Sequence, residues 1–297
     1  MRAALILSLK ALVGGGLLWF LSTRIPLADA LSVASSVDPG VIAVAILLYL
    51  LAHTVNAAKL RVFLPGLTLW QAWRFTMIGV FYGTVLPGQL AGDAVKAVRL
   101  ARAQDDGDEG GAVAAVAVDK IVGLFALFIV VALAIALDAR AFGGAAVTAV
   151  ALATVAAIAL AVMVFLPVPA WLGRFGASVS AWRAVSMRPR ELSLALLLGL
   201  VFQGLCVGIC MELGETLNIA LSVAAWTVVM GFSSIVLLAP VSIAGIGIRD
   251  ASLIGAIGMF GGSEVGAFAL SLVLLIVNLA GAAVGFAVDI AGRDRTK

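Results

Sequence analysis

The sequence predicts an all-α polytopic membrane protein with about six full spans and two broken, re-entrant helical segments. Hydrophobic residues make up 63% of the chain and charged residues only 12%, whereas soluble domains are about 45–50% apolar and about 25% charged. Apolar runs recur along the chain, and a helix needs roughly 20 such residues to cross a bilayer. Two apolar stretches interrupted by proline, glycine and charge predict the re-entrant segments.

The whole chain, residues 1–297, is expected to form one integral membrane domain. Its first half is residues 1–111 and its second half is residues 112–297, and each half contains one broken segment. The broken segments are predicted at residues 68–102 and 219–262. The full spans are predicted at residues 4–22, 40–58, 113–137, 143–166, 192–211 and 265–288.

Lysine and arginine in the loops predict the orientation, because these residues concentrate on the cytoplasmic side of a membrane. With both termini in the cytoplasm, Arg24 and Arg140 are the loop cations outside. The loop cations that then lie inside are those after the second, fourth and last spans, and they include Lys59. We therefore expect an integral protein of a bacterial-type inner (cytoplasmic) membrane with cytoplasmic N- and C-termini.

This orientation makes the two broken segments enter from opposite faces, which is the arrangement of an inverted-topology repeat. The stretches "PGQLAG" (residues 87–92) and "PVSIAG" (residues 240–245) share a proline and a final Ala-Gly. Charges follow each stretch. An inverted repeat around a partly wet cavity is therefore expected.

Composition argues against several classes of function. A net charge of +3 without a basic stripe gives no expectation of nucleic-acid binding. Cys206, Cys210 and one histidine do not make a zinc set, and no metal or other cofactor is expected. The two cysteines are expected to pack as small apolar residues. Catalytic motifs of hydrolases, metalloproteases and nucleotide-binding proteins do not occur, so no catalytic residue is assigned.

The breaks supply the candidate binding residues, since a half-helix N-terminus presents N–H groups and partial positive charge to a phosphate or carboxylate. New helices are expected near Gly92 or Asp93 and near Arg249 or Asp250. Charges within membrane segments are costly and so are informative. The charges that follow these breaks, or lie early in the next span, are Asp93, Lys96, Arg99, Asp119, Lys120, Arg249 and Asp250.

Structural explanations stay open for the same residues. Arg249 and Asp250 could form a local ion pair, Lys96 and Arg99 could extend to the cytoplasmic interface, and Asp93 could be a helix N-cap. Elsewhere, Asn278 and the glycines at 281 and 285 are expected to join helices. Several tryptophans are expected in the interfacial belt, namely Trp70, Trp73, Trp171, Trp182 and Trp226.

Three motifs resemble those of one family. The first is "VFYGTVLPGQLAGDAVKAVRL", with Phe81, Leu86, Pro87, Ala91, Gly92, Asp93, Lys96, Arg99 and Leu100 at matching positions. The second is "AVAVDKIVGL", with Asp119, Lys120 and Gly123. The third is "APVSIAGIGIRDASL", with Pro240, Ser242, Gly245, Gly247, Arg249 and Asp250. Together they resemble the lysylphosphatidylglycerol synthase transmembrane-region family, also described as flippase-like domains.

The resemblance has three departures. Alanine stands at position 91 for a glycine, lysine at 120 for an arginine, and aspartate at 250 for a glutamate. Lys120 keeps the charge but loses the bidentate fork of arginine. The resemblance implies a membrane domain that moves lipids or lipid-linked intermediates between leaflets. No soluble aminoacyl-transferase domain is recognised, so lysylphosphatidylglycerol synthesis is not expected.

The leading hypothesis is a translocator of an anionic lipid or lipid-linked phosphate headgroup. The alternatives are a membrane-embedded transferase acting on a lipid phosphate and a membrane assembly factor without transport. The expected partners are membrane lipids, anionic ones above all, and a lipid-modifying enzyme is compatible with this role. The candidate substrate-binding residues are Pro87, Gly92, Asp93, Lys96, Arg99, Asp119, Lys120, Pro240, Ser242, Gly245, Gly247, Arg249 and Asp250.

Overall fold

A computed structural model describes residues 27–86, 89–103, 109–138, 189–237 and 247–293. This part of the chain contains nine helices and no strand, which confirms the all-α class. The helices are α1 (Leu27–Ser35), α2 (Pro39–Phe63), α3 (Leu69–Val85), α4 (Gln89–Arg102), α5 (Glu109–Leu137), α6 (Pro189–Thr216), α7 (Val223–Val236), α8 (Ile248–Met259) and α9 (Glu264–Arg293).

Four of the described helices are long and apolar enough to cross a membrane, and they correspond to four of the predicted spans. Their spanning segments are Pro39–Phe63, Gly110–Leu137, Pro189–Thr216 and Glu264–Gly292. The spans predicted at residues 4–22 and 143–166 lie outside the described residues. Large apolar side chains are exposed along these helices, with Leu47 at 65% and Leu133 at 56%. Such exposure suits a surface that faces lipid.

Each predicted broken segment contains two helices. The first contains α3 and α4, and the second contains α7 and α8. A side-chain hydroxyl caps the start of the first helix of each pair. Thr68 and Gln71 form a capping box before α3, in which Thr68 Oγ1 accepts from the Gln71 N–H at 3.2 Å and Gln71 Oε1 accepts from the Thr68 N–H at 2.8 Å. Ser222 Oγ accepts from the Ala225 N–H at the start of α7. The re-entrant course and the inverted repeat stay predictions.

The chain forms two compact units, each discontinuous in sequence. The first unit takes Met1–Leu51, Met77–Asp93 and Leu205–Lys297, and the second takes Ala52–Thr76 and Ala94–Gly204. Helices α2, α3, α4 and α6 therefore contribute residues to both units. The proposed halves at residues 1–111 and 112–297 stay a prediction.

The first unit has a core in which α9 packs against α8 and α1, and α8 packs against α7. Trp226 is only 1% exposed there, and a Cβ on Gly214 would collide with its ring. The prediction that Trp226 is an interfacial anchor is therefore wrong, because α7 turns this indole into the core. Trp70, in contrast, is exposed and stacks on Trp73 with ring centroids 5.1 Å apart.

Glycines and one amide bring the helices of the first unit together, as the sequence indicated. A Cβ on Gly285 would collide with the Met77 carbonyl, and one on Gly281 would collide with the Tyr49 ring. Asn278 accepts from the Tyr49 hydroxyl at 3.0 Å, which joins α9 to α2. The expectation that these residues serve helix packing is confirmed.

The second unit has two clusters of buried apolar residues on α2, α4, α5 and α6. Leu60, Leu100 and Val116 belong to one cluster, and Phe63, Val118 and Ala195 belong to the other. Helix α2 runs on to Phe63, just before Pro65. Lys59, which the sequence analysis placed in a loop, therefore lies inside this helix and is buried.

Candidate functional site

Each unit contains a cluster of buried charged side chains. The first unit has Arg249 and Asp250 on α8 with Ser271 on α9. The second unit has Lys59 on α2, Lys96 on α4 and Asp119 on α5. Buried ionic groups in membrane helices are uncommon and usually functional, so each cluster is a candidate site.

The start of α8 positions the first cluster. Gly247 precedes the helix with φ +85°, a backbone conformation that glycine adopts readily and other residues do not. Its N–H donates to Asp250 Oδ2 at 2.9 Å, and its carbonyl accepts from the Ala251 N–H at 2.9 Å. The carboxylate of Asp250 therefore caps its own helix, and the predicted new helix near Arg249 is confirmed.

Arg249 is held by a short chain of contacts. Its Nε donates to Ser271 Oγ at 3.1 Å, and its Nη2 lies 3.5 Å from Asp250 Oδ1. Ser271 Oγ in turn donates to Asp250 Oδ1. All three side chains are buried, with Arg249 only 6% exposed. The arrangement fixes a guanidinium beside a carboxylate, so a local ion pair is present and Ser271 orients it.

Ser271 was not among the predicted site residues. It stands in the apolar run "AFALSLVLL" of the last span. A polar residue in such a run is the signal that could have marked it.

An apolar groove lies between α7 and α8 in the same unit, with a volume of about 430 Å³. Its α8 wall follows one helical face, since its residues recur at intervals of three or four. Ser252 lines the groove, and its Oγ lies 2.8 Å from the Arg249 carbonyl. The groove therefore adjoins the turn that carries Arg249. Its lining residues are Phe232, Val236, Ile248, Ala251, Ser252, Gly255, Ala256 and Met259.

The second cluster places two ammonium groups against one carboxylate. Lys59 Nζ lies 3.4 Å from Asp119 Oδ1, and Lys96 Nζ lies 3.6 Å from Asp119 Oδ2. Each of the three residues is 3% exposed. The prediction grouped Lys96 with Asp119 as site residues but missed Lys59. The signal for Lys59 was the lack of any helix breaker between residue 58 and Pro65.

Gly123 makes room for Lys59. A Cβ on Gly123 would lie 2.8 Å from Lys59 Nζ, and Gly123 is one helical turn after Asp119 on α5. On α6, a Cβ on Gly199 would lie 3.9 Å from Lys59 Cδ. The end of the lysine side chain therefore occupies a slot beside Gly123, while Gly199 is at ordinary contact distance from Lys59 and makes room for Ala126.

The other predicted residues have varied positions. Gly92 lies inside α4, where a Cβ would collide with the Gly79 carbonyl of α3 and lie 2.7 Å from the Gly83 nitrogen, so it serves close packing. Helix α4 begins at Gln89, four residues before Asp93. Asp93 is therefore not the N-cap, and the expectation of a helix start near Gly92 or Asp93 is corrected. Arg99 and Lys120 are partly exposed.

Four of the predicted site residues lie outside the described residues. They are Pro87, Pro240, Ser242 and Gly245.

Comparison with known proteins bears on the function of this arrangement. The family model described as "Lysylphosphatidylglycerol synthase TM region" matches residues 6–285. Neither the curated proteins nor the solved structures that we compared give a match to the chain. The family match includes both buried clusters, three of the four apolar spans and most of the fourth, which runs on to Gly292. The chain is therefore an integral membrane protein of the lysylphosphatidylglycerol synthase TM region family, a family of membrane proteins involved in lipid handling.

Proposed function

We propose that this protein moves an anionic lipid, or a lipid-linked phosphate headgroup, between the leaflets of a bacterial-type inner membrane. The observation that carries the proposal is the buried Arg249 guanidinium, oriented by Ser271 and Asp250 in a chain of a lipid-handling family. A desolvated arginine at a helix start has the chemistry to bind phosphate. Phosphate binding would also account for a buried charge that costs the protein stability.

The geometry around Arg249 supports recognition of a phosphate. Guanidinium presents five N–H donors in a planar fork that matches phosphate oxygens. Within the described residues, Ser271 and Asp250 contact the Nε and Nη2 atoms of Arg249 and hold the guanidinium in place. The first turn of α8 adds partial positive charge at the same place. Asp250 takes the role of orienting the cation and capping the helix rather than of contacting the anionic group.

The groove between α7 and α8 supports a lipid as the molecule that carries the phosphate. We propose that one acyl chain lies in this groove while the headgroup contacts Arg249. The small side chains of Ala251, Ser252, Gly255 and Ala256 form the groove along α8. Its volume of about 430 Å³ is within the range of roughly 300–1,000 Å³ of ligand sites. Transport then requires the Arg249 site to open to each face of the membrane in turn.

The test is leaflet exchange of fluorescent anionic lipids in proteoliposomes that contain the purified full chain. Arg249→Ala is expected to slow exchange by roughly 10- to 100-fold, because a hydrogen bond to a charged group contributes about 1.5–3 kcal/mol. Arg249→Lys keeps the charge without the fork and should be intermediate. Arg190→Ala is the matched control, since Arg190 is exposed at the start of α6, and it should exchange lipid like the wild type.

Three results would contradict the proposal. Equal exchange by the wild type and by a folded Arg249→Ala protein removes the role of Arg249. Wild-type proteoliposomes that exchange lipid no faster than protein-free vesicles favour the assembly factor, and chemically altered lipids recovered from them favour the transferase. Circular dichroism and size-exclusion profiles of each variant separate loss of function from loss of fold.

A further inference from the structure

The second unit holds more cationic groups around Asp119 than one ion pair requires. Lys59 and Lys96 approach different oxygens of the same carboxylate, from helices α2 and α4. All three residues are almost fully excluded from solvent. Convergence of two ammonium groups on one oxyanion is also an arrangement that binds the phosphate of a lipid headgroup, which as a diester offers two equivalent non-bridging oxygens.

The contacts to Asp119 are loose. Their lengths of 3.4 and 3.6 Å exceed the roughly 2.7–2.9 Å of a tight charge-assisted hydrogen bond. Lysine makes such contacts as a point charge on a flexible stem and not as a fixed fork. The ammonium groups can therefore exchange one oxyanion for another with little loss of geometry.

Helix α5 leaves space around the ammonium group of Lys59. The end of the Lys59 side chain occupies the slot beside Gly123 on α5. A Cβ on Gly123 would lie 2.8 Å from the Lys59 ammonium nitrogen, so the ammonium would have to shift. The slot therefore keeps a long cationic side chain in an otherwise apolar region, one turn from Asp119.

We propose that Asp119 is an exchangeable counter-ion, which holds Lys59 and Lys96 until the phosphate of an anionic headgroup takes its place. This deepens the proposed function, on which it rests for the identity of the ligand as a lipid-borne phosphate. It assigns Lys59 and Lys96 to a phosphate-binding cluster that lies wholly within the second unit. It also means that Asp119 weakens ligand binding, because its carboxylate competes with the phosphate for the two lysines.

The test measures binding and not transport, so that it can fail independently of the proposed function. The full chain is placed in nanodiscs of phosphatidylcholine and titrated with fluorescent phosphatidylglycerol. Asp119→Asn removes the competing carboxylate and should tighten phosphatidylglycerol binding by about tenfold. In the wild type the lipid can bind only to the fraction of molecules in which Asp119 has released the lysines, and this lowers the apparent affinity. The same variant should have a lower unfolding temperature in phosphatidylcholine, and phosphatidylglycerol should restore it.

Lys59→Met provides a second, independent measurement. It keeps the Lys96–Asp119 contact and should weaken phosphatidylglycerol binding by about tenfold. Arg61→Met is the matched control, because Arg61 is an exposed cation on the same helix, two residues further on. It should leave this binding unchanged and so should exclude general attraction to a charged surface.

Inorganic phosphate distinguishes the sources of the anionic group. Competition with phosphatidylglycerol supports a site for phosphate as such, and absence of competition supports a site that needs the lipid tail. The proposal is overturned if Asp119→Asn binds phosphatidylglycerol no more tightly than the wild type. If that variant does not fold, unchanged binding by Lys59→Met overturns it equally.

Discussion

At the scale of single residues, Lys59 and Gly123 show how a glycine, which has no side chain, makes room for a charge. The ammonium nitrogen of Lys59 lies 2.8 Å from where a Cβ on Gly123 would be and 3.4 Å from Asp119 Oδ1, so the bare glycine leaves it room to reach the carboxylate. The glycine of the motif at Asp119, Lys120 and Gly123 therefore has a physical reason, which is to leave room for a cation from another helix. We infer that the two positions are energetically coupled.

A double-mutant cycle tests this coupling. Gly123→Ala should cost stability, because its methyl group displaces the Lys59 ammonium from Asp119 and so outweighs the gain of about 0.8–1 kcal/mol in helix propensity. In a Lys59→Met background the same change should cost less, since methionine is one atom shorter than lysine. We expect a coupling energy of about 0.5–3 kcal/mol from denaturant unfolding in micelles. Strictly additive effects would show that the glycine has no connection with Lys59.

The sequence allowed some of these residues to be predicted and not others, for identifiable reasons. Lys96, Asp119, Arg249 and Asp250 were predicted because charge within an apolar segment is conspicuous. Ser271 was missed because a serine changes the hydropathy of a span very little. Lys59 was missed because the end of its helix was placed where hydropathy falls, although the helix continues to Phe63.

At the scale of helices, the two broken segments start their second helices by different means. Helix α8 starts at a glycine with positive φ and is capped by Asp250. Helix α4 starts earlier than expected, because Gly92 is a point of close contact with α3 and not a turn. Proline and glycine thus predicted that each segment is broken. They did not distinguish a glycine that turns the chain from one that lets two helices touch.

The groove between α7 and α8 gives a prediction at this scale. A Cβ on Gly255 or on Gly258 would meet no heavy atom of the described residues within 4 Å, so both have room for a larger side chain. Of the two, Gly255 lines the groove. Gly255→Leu should fill the groove and slow leaflet exchange several-fold, while Gly258→Leu should not. Both substitutions gain roughly 0.8–1 kcal/mol of helix propensity, so their unfolding temperatures should change alike.

Exchange rates provide the measurement for this pair. Equal rates for the two leucine variants would show that no acyl chain needs the groove. A loss of exchange in both, with wild-type unfolding temperatures, would instead assign importance to the exposed face of α8 as a whole.

At the scale of the whole molecule, each unit has a core and a buried charge cluster of its own. Composition alone predicted the all-α membrane class, because so apolar a chain has few other solutions. The division into these units could not be predicted. Each unit collects segments that are far apart in sequence, and apolar helices give little information about which neighbours they choose.

Orientation in the membrane is a prediction at this scale. The distribution of lysine and arginine places both termini in the cytoplasm. A fluorescent protein fused to residue 297 should therefore be fluorescent in a bacterial host, and alkaline phosphatase fused there should be inactive. Phosphatase inserted after Asp138, before the loop that contains Arg140, should be active. The opposite pattern would reverse the orientation.

The burial of Trp226 in the first unit has a spectroscopic consequence. Its indole is buried in the core against Gly214 of α6. Its fluorescence emission should therefore lie at short wavelength, and water-soluble quenchers should have little effect on it. Replacing the other tryptophans with phenylalanine would leave one native fluorophore, which reports unfolding of that unit without an added label. The same signal, followed during lipid addition, would record whether the core around α7 loosens while substrate is bound.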